Sequence, residues 1–361
     1  MSRNVFEATA NINFLTHFKA LILRAMSMSV SVVISTLYKR PREFKECIES
    51  IIRQTVRPTE VIVVNGSSDG SWEKVREEFN NILKKMRDAG IAVKHVTLPG
   101  ASLPHARNVG VKMARGDVIL FLDDDVILER DYIENLTKVY VEYPNAMGVQ
   151  GFVTNEINPN NPLIRFGLLK FIWWLFQRGY YDVDVNKQLP SLFEVIPYRI
   201  TRVIKRENFR GANMSYRRKV FTSLEFDERL KRYAIGEDKD FSYRVYKLFP
   251  GSLYQTPHAR LIHKEAPEGR LPSKQLETMR QIYHLYLFYK LFEQNTRNKI
   301  SYILGRIGDL LLHSILFMTS GFKKEKALKV RYMIEAMWLA LSNRNRIKKG
   351  DINFWWEGRV K

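Results

Sequence analysis

Residues 117–126 read DVILFLDDDV, and the rest of the chain is arranged around this stretch. Val118 to Leu122 is an unbroken apolar run, the pattern of a strand buried on both faces of a parallel sheet. It ends in Asp123, Asp124 and Asp125. Carboxylates packed side by side repel and raise one another's pKa. A divalent cation removes that repulsion, and hard cations such as Mg²⁺ or Mn²⁺ take oxygen ligands, usually one or two carboxylates plus substrate phosphates. In open α/β sheets, ligands bind outside the carboxyl ends of the strands. The triplet is therefore a candidate metal–diphosphate site. The plainer alternative is a solvated acidic turn after a strand.

Upstream of the triplet, strand and helix patterns alternate. SVSVVIST from Ser29 reads as a strand. PREFKECIESIIRQT reads as a helix, with Pro41 in its first turn and Phe44, Ile48, Ile51 and Ile52 on one face. EVIVVN is a second strand, and GSSDGS a turn in which Asp69 caps or closes the chain reversal. A second helix carries Trp72, Val75, Phe79, Leu83 and Met86; IAVKHVTL is a third strand and His105 to Ala114 a short helix. Downstream come a helix from Asp131 to Tyr143 and a strand, MGVQGFV. Such alternation predicts a mostly parallel, Rossmann-like sheet with helices on both faces. The GxGxxG and P-loop fingerprints are absent, so any nucleotide is gripped by other means.

At 361 residues the chain is long enough for one large domain or two small ones. Its 58 Lys and Arg against 38 Asp and Glu give a formal charge of +20, which points to an anionic partner: nucleic acid, nucleotide diphosphate or acidic lipid. The single cysteine, Cys47, excludes an internal disulfide. Residues 1–28 read as a leader with Phe14, Leu15, Phe18, Leu21 and Ile22 at helical spacing, without the apolar core of a secretory signal. No segment is a convincing transmembrane helix. The best window, Ile300 to Phe322, carries Arg306, Asp309 and His313, and charges at a bilayer centre are costly.

Several further residues are candidates for chemistry. Asn65 ends the second strand, where its amide suits either a nucleobase edge or turn-forming hydrogen bonds. Arg107, at the start of a short helix, suits a phosphate; a surface arginine is the default. The greasy stretch around Trp173 and Trp174 is too short to span a bilayer and reads as core, as an interfacial segment or as an acceptor groove. In FRGANMSYRRKVF, Gly211 allows close backbone approach and Asn213 offers donor and acceptor groups. Glu237, Asp238 and Asp240 follow Gly236 at a helix start, where the choice is between capping and a general base. His263 precedes a Pro/Gly loop, a place for a metal ligand beside a lid. Residues 273–361 read as basic amphipathic helices ending in Trp355 and Trp356. They suit either an anionic membrane surface or packing on the catalytic domain or another subunit.

Taken together, SVVISTLYKRP, EVIVVNGSSDGS, ARNVGVKMARGDVILFLDDDV, FRGANMSYRRKVF and FDERLKRYAIGEDKDFSYRV resemble, in order and spacing, the family 2 glycosyltransferases with the GT-A fold, over about residues 29–265. The resemblance implies a catalytic domain over residues 29–272, followed by the helical, membrane-associating region 273–361. It implies inverting, metal-assisted transfer from a nucleotide-sugar donor to a glycan or lipid-linked acceptor. By it, Asp125 holds Mg²⁺ or Mn²⁺ with His263, and Asp123 and Asp124 hold ribose or assist the metal. Ser35, Thr36, Asn65 and Arg107 line the nucleoside pocket, and Asp238 is the base. Gly211, Asn213, Glu237, Trp173 and Trp174 are expected on the acceptor side. The processive-synthase signature QxxRW is missing, which favours addition of one or few sugars. Two rivals remain at this point. A sugar nucleotidyltransferase would begin with a G-x-G-x-R loop, where this chain has STLYKRPRE. A nucleic-acid-binding protein rests on charge alone, with no matching motif, so no nucleic-acid partner is expected. The expected location is peripheral, on the cytoplasmic face of a membrane.

Overall fold

The computed structural model describes residues 28–68, 71–155, 167–177, 181–183, 186–265 and 271–356. The leader, Asp69 and the loop after Glu265 lie outside them.

The expected alternation is present. Strand β1 (Val30–Thr36) leads to α1 (Pro41–Ile52), β2 (Glu60–Asn65), α2 (Ser71–Asp88), β3 (Ala92–Thr97), α3 (Leu103–Met113) and β4 (Val118–Leu122). These four strands pair in parallel in the order β4-β1-β2-β3. Every residue of β2 and β4 is buried, as an apolar run with covered faces requires. Beyond β4 the sheet turns mixed. β5 (Val126–Leu128), α4 (Tyr132–Glu142) and β6 (Gly148–Val153) follow, and then, after an excursion, β11 (Asn213–Arg217), α6 (Glu237–Leu248) and β12 (Leu253–His263). β11 lies antiparallel between β4 and β6, and β12 runs parallel to β6.

Period-two alternation sends β1 side chains to two cores. Val30, Val32 and Ile34 meet α1, α2 and α4 through Phe44, Phe79 and Tyr132, while Val33 faces the other way with Ala106 of α3 and Phe241 of α6. Cys47 is buried in the first of these cores.

The excursion holds α5 (Gly167–Leu175) and the short strands β7 (Tyr181–Val183), β8 (Lys187–Gln188), β9 (Glu194–Arg199) and β10 (Ile204–Arg206). β10 adds to the main sheet beside β12; β7, β9 and β8 form a small sheet of their own. The C-terminal helices are α7 (Ser273–Leu291), α8 (Thr296–Thr319), α9 (Lys324–Ser342) and α10 (Arg344–Lys348). They share a third core with Leu192, Leu230 and Ala234, so the region is packed onto the part of the chain that precedes it. Ile352 and Trp355 join that core and Trp356 lies over the Arg232 guanidinium. For the terminal tryptophans, of the two readings left open, membrane surface and packing on protein, the contacts are largely those of packing.

Candidate active site

The strand ends bring the triplet and its partners together. β5 runs antiparallel to β12 with Val126 opposite His263, and the Lys264 N–H donates to the Asp125 carbonyl at 3.0 Å. This register carries the His263 ring to the triplet: Nε2 lies 3.2 Å from Asp125 Oδ1 and 3.9 Å from Asp123 Oδ2. On the other side β11 starts where β4 ends. Asn213 pairs with Leu122, and the Asp123 N–H donates to the Ala212 carbonyl at 3.2 Å. That register sets Gly211 and Asn213 beside the triplet.

Each aspartate has its own surroundings. Thr36 Oγ1 donates to Asp124 Oδ2 and itself accepts from the Tyr38 N–H at 2.8 Å. Arg40 Nη1 donates to Asp125 Oδ2 at 2.6 Å and lies 3.5 Å from Asp124. Burial pushes Asp124 up to about 6 despite the Thr36 hydrogen bond, and raises Asp123 against the pull of Arg107. Burial disfavours a charged His263 ring, but its bond to Asp125 together with the charges of Asp123, Asp125 and Glu265 outweighs this and lifts its pKa. These are the marks of a carboxylate cluster short of positive charge. Ligand atoms of Asp123, Asp125 and His263 all lie within 4.8 Å of one another. Two carboxylate oxygens and an imidazole nitrogen fit Mn²⁺ or Mg²⁺, with room left for phosphate oxygens.

A second acidic cluster lines the same cleft. Gly236, with φ of 86°, precedes α6 in the left-handed conformation that glycine tolerates. Arg232 and Ala234 also have positive φ, at 57° and 49°, so the segment entering α6 holds real backbone strain. It delivers Glu237 and Asp238. Asp238 is gripped by main chain: Oδ2 accepts from the Gly211 N–H and Oδ1 from the Lys239 N–H, both at 2.8 Å. Glu237 accepts from Arg107 Nη1. Burial pushes its carboxyl up to about 8 against that guanidinium, with Asp238 adding to the rise.

Arg107 is buried, not the surface arginine of the default reading. It donates to the Gly211 carbonyl at 3.2 Å and lies 3.5 Å from Asp123, so one guanidinium links both clusters. Asp123, Asp125, Glu237, Asp238 and His263 all line one cleft of about 1140 Å³, with Ser35, Thr36, Arg107, Asp124, Gly211 and Asn213. Ser35 Oγ, both amide atoms of Asn213 and Glu237 Oε2 are buried without a hydrogen-bond partner among the described residues. Buried polar atoms are rarely left so, and four around one cleft point to a ligand.

Three expected residues are placed elsewhere. Asn65 is fully buried away from the cleft; its Oδ1 accepts from the Ser67 N–H at 3.0 Å, the turn-forming alternative. Trp173 is buried and Trp174 points outward, neither of them on the cleft wall, because α5 turns one face into protein and the other to the exterior. Sequence reasoning missed Arg40, which bonds the triplet; its position in YKRP carried no periodic or motif signal of its own. It also missed the cationic wall of Arg206, Arg210 and Lys239 around Glu194.

The profile of Glycosyl transferase family 2 matches residues 31–223, more than half of the chain. The chain belongs to this family. The glycosyltransferase is 26% identical over 245 residues to a glucosyl-dolichyl phosphate glucuronosyltransferase of Haloferax volcanii, a match spanning 66% of this chain and 69% of the relative. It is 26% identical over 223 residues to the glycosyltransferase GlyA of Streptococcus pneumoniae, covering 62% of this chain and 29% of that longer one. The mannosyltransferase PcManGT of Pyrobaculum calidifontis, solved with GDP-Man and Mn²⁺, superposes with a TM-score of 0.51 at 16% identity, over 93% of this chain and 98% of its own. At that identity the likeness speaks for the GT-A fold alone. The nucleotidyltransferase and nucleic-acid readings give way to the family assignment.

Proposed function

We propose that this glycosyltransferase moves a sugar from a nucleotide-diphosphate sugar to an acceptor hydroxyl by single displacement with inversion, assisted by Mg²⁺ or Mn²⁺. The observation that carries the reading is the shared cleft, which Asp123, Asp125 and His263 line together with Asp238. Asp123, Asp125 and His263 would hold the cation; when bound there, it supplies Lewis-acid stabilisation of charge on the departing diphosphate. Ser35, Thr36 and Asp124 receive the nucleoside, and Asn65 acts from behind by fixing the turn whose Gly66 and Ser68 line the cleft.

Asp238 takes the proton of the acceptor hydroxyl. The two backbone N–H groups that hold it fix its direction, and such a base contributes about 10²–10⁴ in rate. Arg107 keeps the two acidic clusters at a set spacing, while Gly211 and Asn213 lie beside the acceptor. One base facing a leaving group across the sugar gives inversion, as in inverting glycosidases, where a carboxylate activates water on the opposite ring face. We assign the acceptor to the lipid-linked or cell-surface glycans, by likeness to the glucuronosyltransferase whose substrate is a dolichyl phosphate sugar, and the enzyme to the cytoplasmic face of a membrane.

The test is a panel of nucleotide sugars, each with Mn²⁺, Mg²⁺ or chelator, read by calorimetry and by nucleotide release. One donor should bind only with metal and release its nucleotide. Metal-independent binding throughout the panel would reject the metal role.

A further inference from the structure

Helix α8 is built inside out. It has the length and hydropathy of a membrane-crossing helix, with only a third of its apolar window buried in protein. Its buried residues are mostly small or polar: Ser301, Gly305, Arg306, Gly308 and Asp309 turn inward, with Tyr302 the one large ring among them. Gly305 presses onto the 191 loop so closely that a Cβ would stand 2.4 Å from that of Ser191. Arg306 donates to the Ser191 carbonyl at 2.8 Å and bonds the His284 ring at 3.0 Å. Asp309 and His313 reach the catalytic cleft and line it. The outward face is apolar, with Ile303, Ile307, Leu311 and Ile315 at four-residue spacing, each exposed. A helix meeting water outside and protein inside shows the opposite order.

The neighbours extend this surface. α9, packed along α8, exposes Ile334, Trp338 and Leu341 at spacings of four and three. Gln177, just after α5, bonds Ser301 of α8 at 3.1 Å, and α5 exposes Phe171, Trp174 and Leu175. Among the described residues, all the exposed large apolar side chains except Leu37, Tyr233, Leu248 and Ile262 lie on α5, α8, α9 or the turn joining the last two. Soluble proteins seldom leave so much contiguous apolar surface bare.

Charge identifies the occupant. Arg297 and Lys299 are exposed at the start of α8, Lys323 and Lys324 at the turn, and Arg344 and Lys348 beyond α9. Cations therefore outnumber the exposed acids at these same places, Glu293, Glu325 and Asp351, around an apolar field that carries tryptophan. That is the pattern of an interfacial surface facing anionic headgroups.

We propose that the α5–α8–α9 face seats on an anionic lipid bilayer, α8 lying in the plane of the interface and not across it, with Trp174 and Trp338 at headgroup depth. Burial of Arg306 and Asp309 in protein ties α8 down and keeps it from inserting. Because the same helix walls the cleft through Asp309 and His313, the cleft opens at the membrane surface, where a lipid-linked acceptor presents its glycan. That last consequence rests on the acceptor class proposed above; the docking surface does not.

The experiment is flotation of the full chain with vesicles of phosphatidylcholine alone and of equimolar phosphatidylcholine and phosphatidylglycerol. The chain should float with the anionic vesicles, and I307E/L311E/I315E should reduce the floated fraction by about tenfold or more. F322E/W338E, on the turn and on α9, gives an independent check should the α8 variant fold poorly by circular dichroism. Reversal of Lys323 and Lys324 to Glu should weaken binding to anionic vesicles alone. Unchanged flotation of both apolar variants, or no flotation of the parent chain, overturns the proposal. So does a dimer in light scattering that the apolar variants dissociate without loss of flotation, which would hand the face to a second copy. Metal-dependent nucleotide release in vesicle-free buffer should be the same in parent and variants. Its absence in the parent would count against the transfer reading and leave the docking result standing.

Discussion

Two acidic clusters meet at the first turn of helix α6, through Asp240 and through Glu237, and they have opposite fates. Asp227 and Asp240 are closed off. Lys290 Nζ lies 2.7 Å from both, Arg229 and Tyr286 also bond Asp227, and Arg244 lies 2.7 Å from Asp240. Burial opposes ionisation there, but the bonds from Arg229 and Lys290 win and hold Asp227 far below the usual carboxylate range. In the other cluster, Asp123, Asp124 and Glu237 share too few cations, and burial pushes all three carboxyls up. The first cluster fastens α7 to the part of the chain that precedes it. The second is short of cations, and the cation proposed for Asp123, Asp125 and His263 would supply the positive charge it lacks. Residue type does not separate structural from functional acids; the local balance of charge does.

The sharpest way to break this comparison is Asp125→Ala. Removing a ligand of the cation-poor cluster should abolish metal-dependent donor binding in calorimetry and lower transfer by at least about 10³-fold. Retained binding would make the cluster as self-sufficient as its counterpart. Next in size is Asp238→Asn, which should leave donor binding intact while transfer falls about 10²–10⁴-fold. Transfer at the parent rate would remove Asp238 from the role of base.

Metal addition should distinguish the clusters thermodynamically. Mn²⁺ at about a hundredfold excess over its Kd should stabilise the fold by about 2.7 kcal/mol in thermal melts. Asp125→Ala should lose that gain and Asp227→Asn should keep it.

The smallest effect expected is on the closed cluster. Asp227→Asn should cost about 2 kcal/mol at pH 7 with kcat unchanged. The folded-state pKa of Asp227 is depressed, so its contribution is present above the unfolded value and fades as the pH falls through the folded one. The gap between parent and variant should therefore narrow below about pH 4. A gap that widens in acid would reverse the assignment.

Much of this was open to reading along the chain, because it depends on near neighbours. Period-two and period-3.6 spacing placed β1 to β4 and α1 to α4 within a few residues, and the carboxyl end of a buried strand marked Asp123 to Asp125. Asn65 shows the limit: its two readings, base contact and turn, differ only in where the side chain turns, and the structure turns it onto Ser67. Asp238 and Asp240 are two residues apart, about 200° around a helix. One lines the cleft and the other meets Lys290, a partner 50 positions away. α8 has an evident apolar stripe, but its spacing is the same whether that stripe faces in or out.

What the order of residues settled alone was the family, the sheet and the position of the aspartate triplet, since hydrophobic period and motif spacing are local quantities. What only the folded chain decided was which charges meet: Arg107 on Asp123 and Glu237, Arg40 on the triplet, Asp309 on the cleft and isoleucines on the outside of α8. Coulomb energy and burial depend on distances between groups remote in sequence, and those distances come into being only when the elements pack.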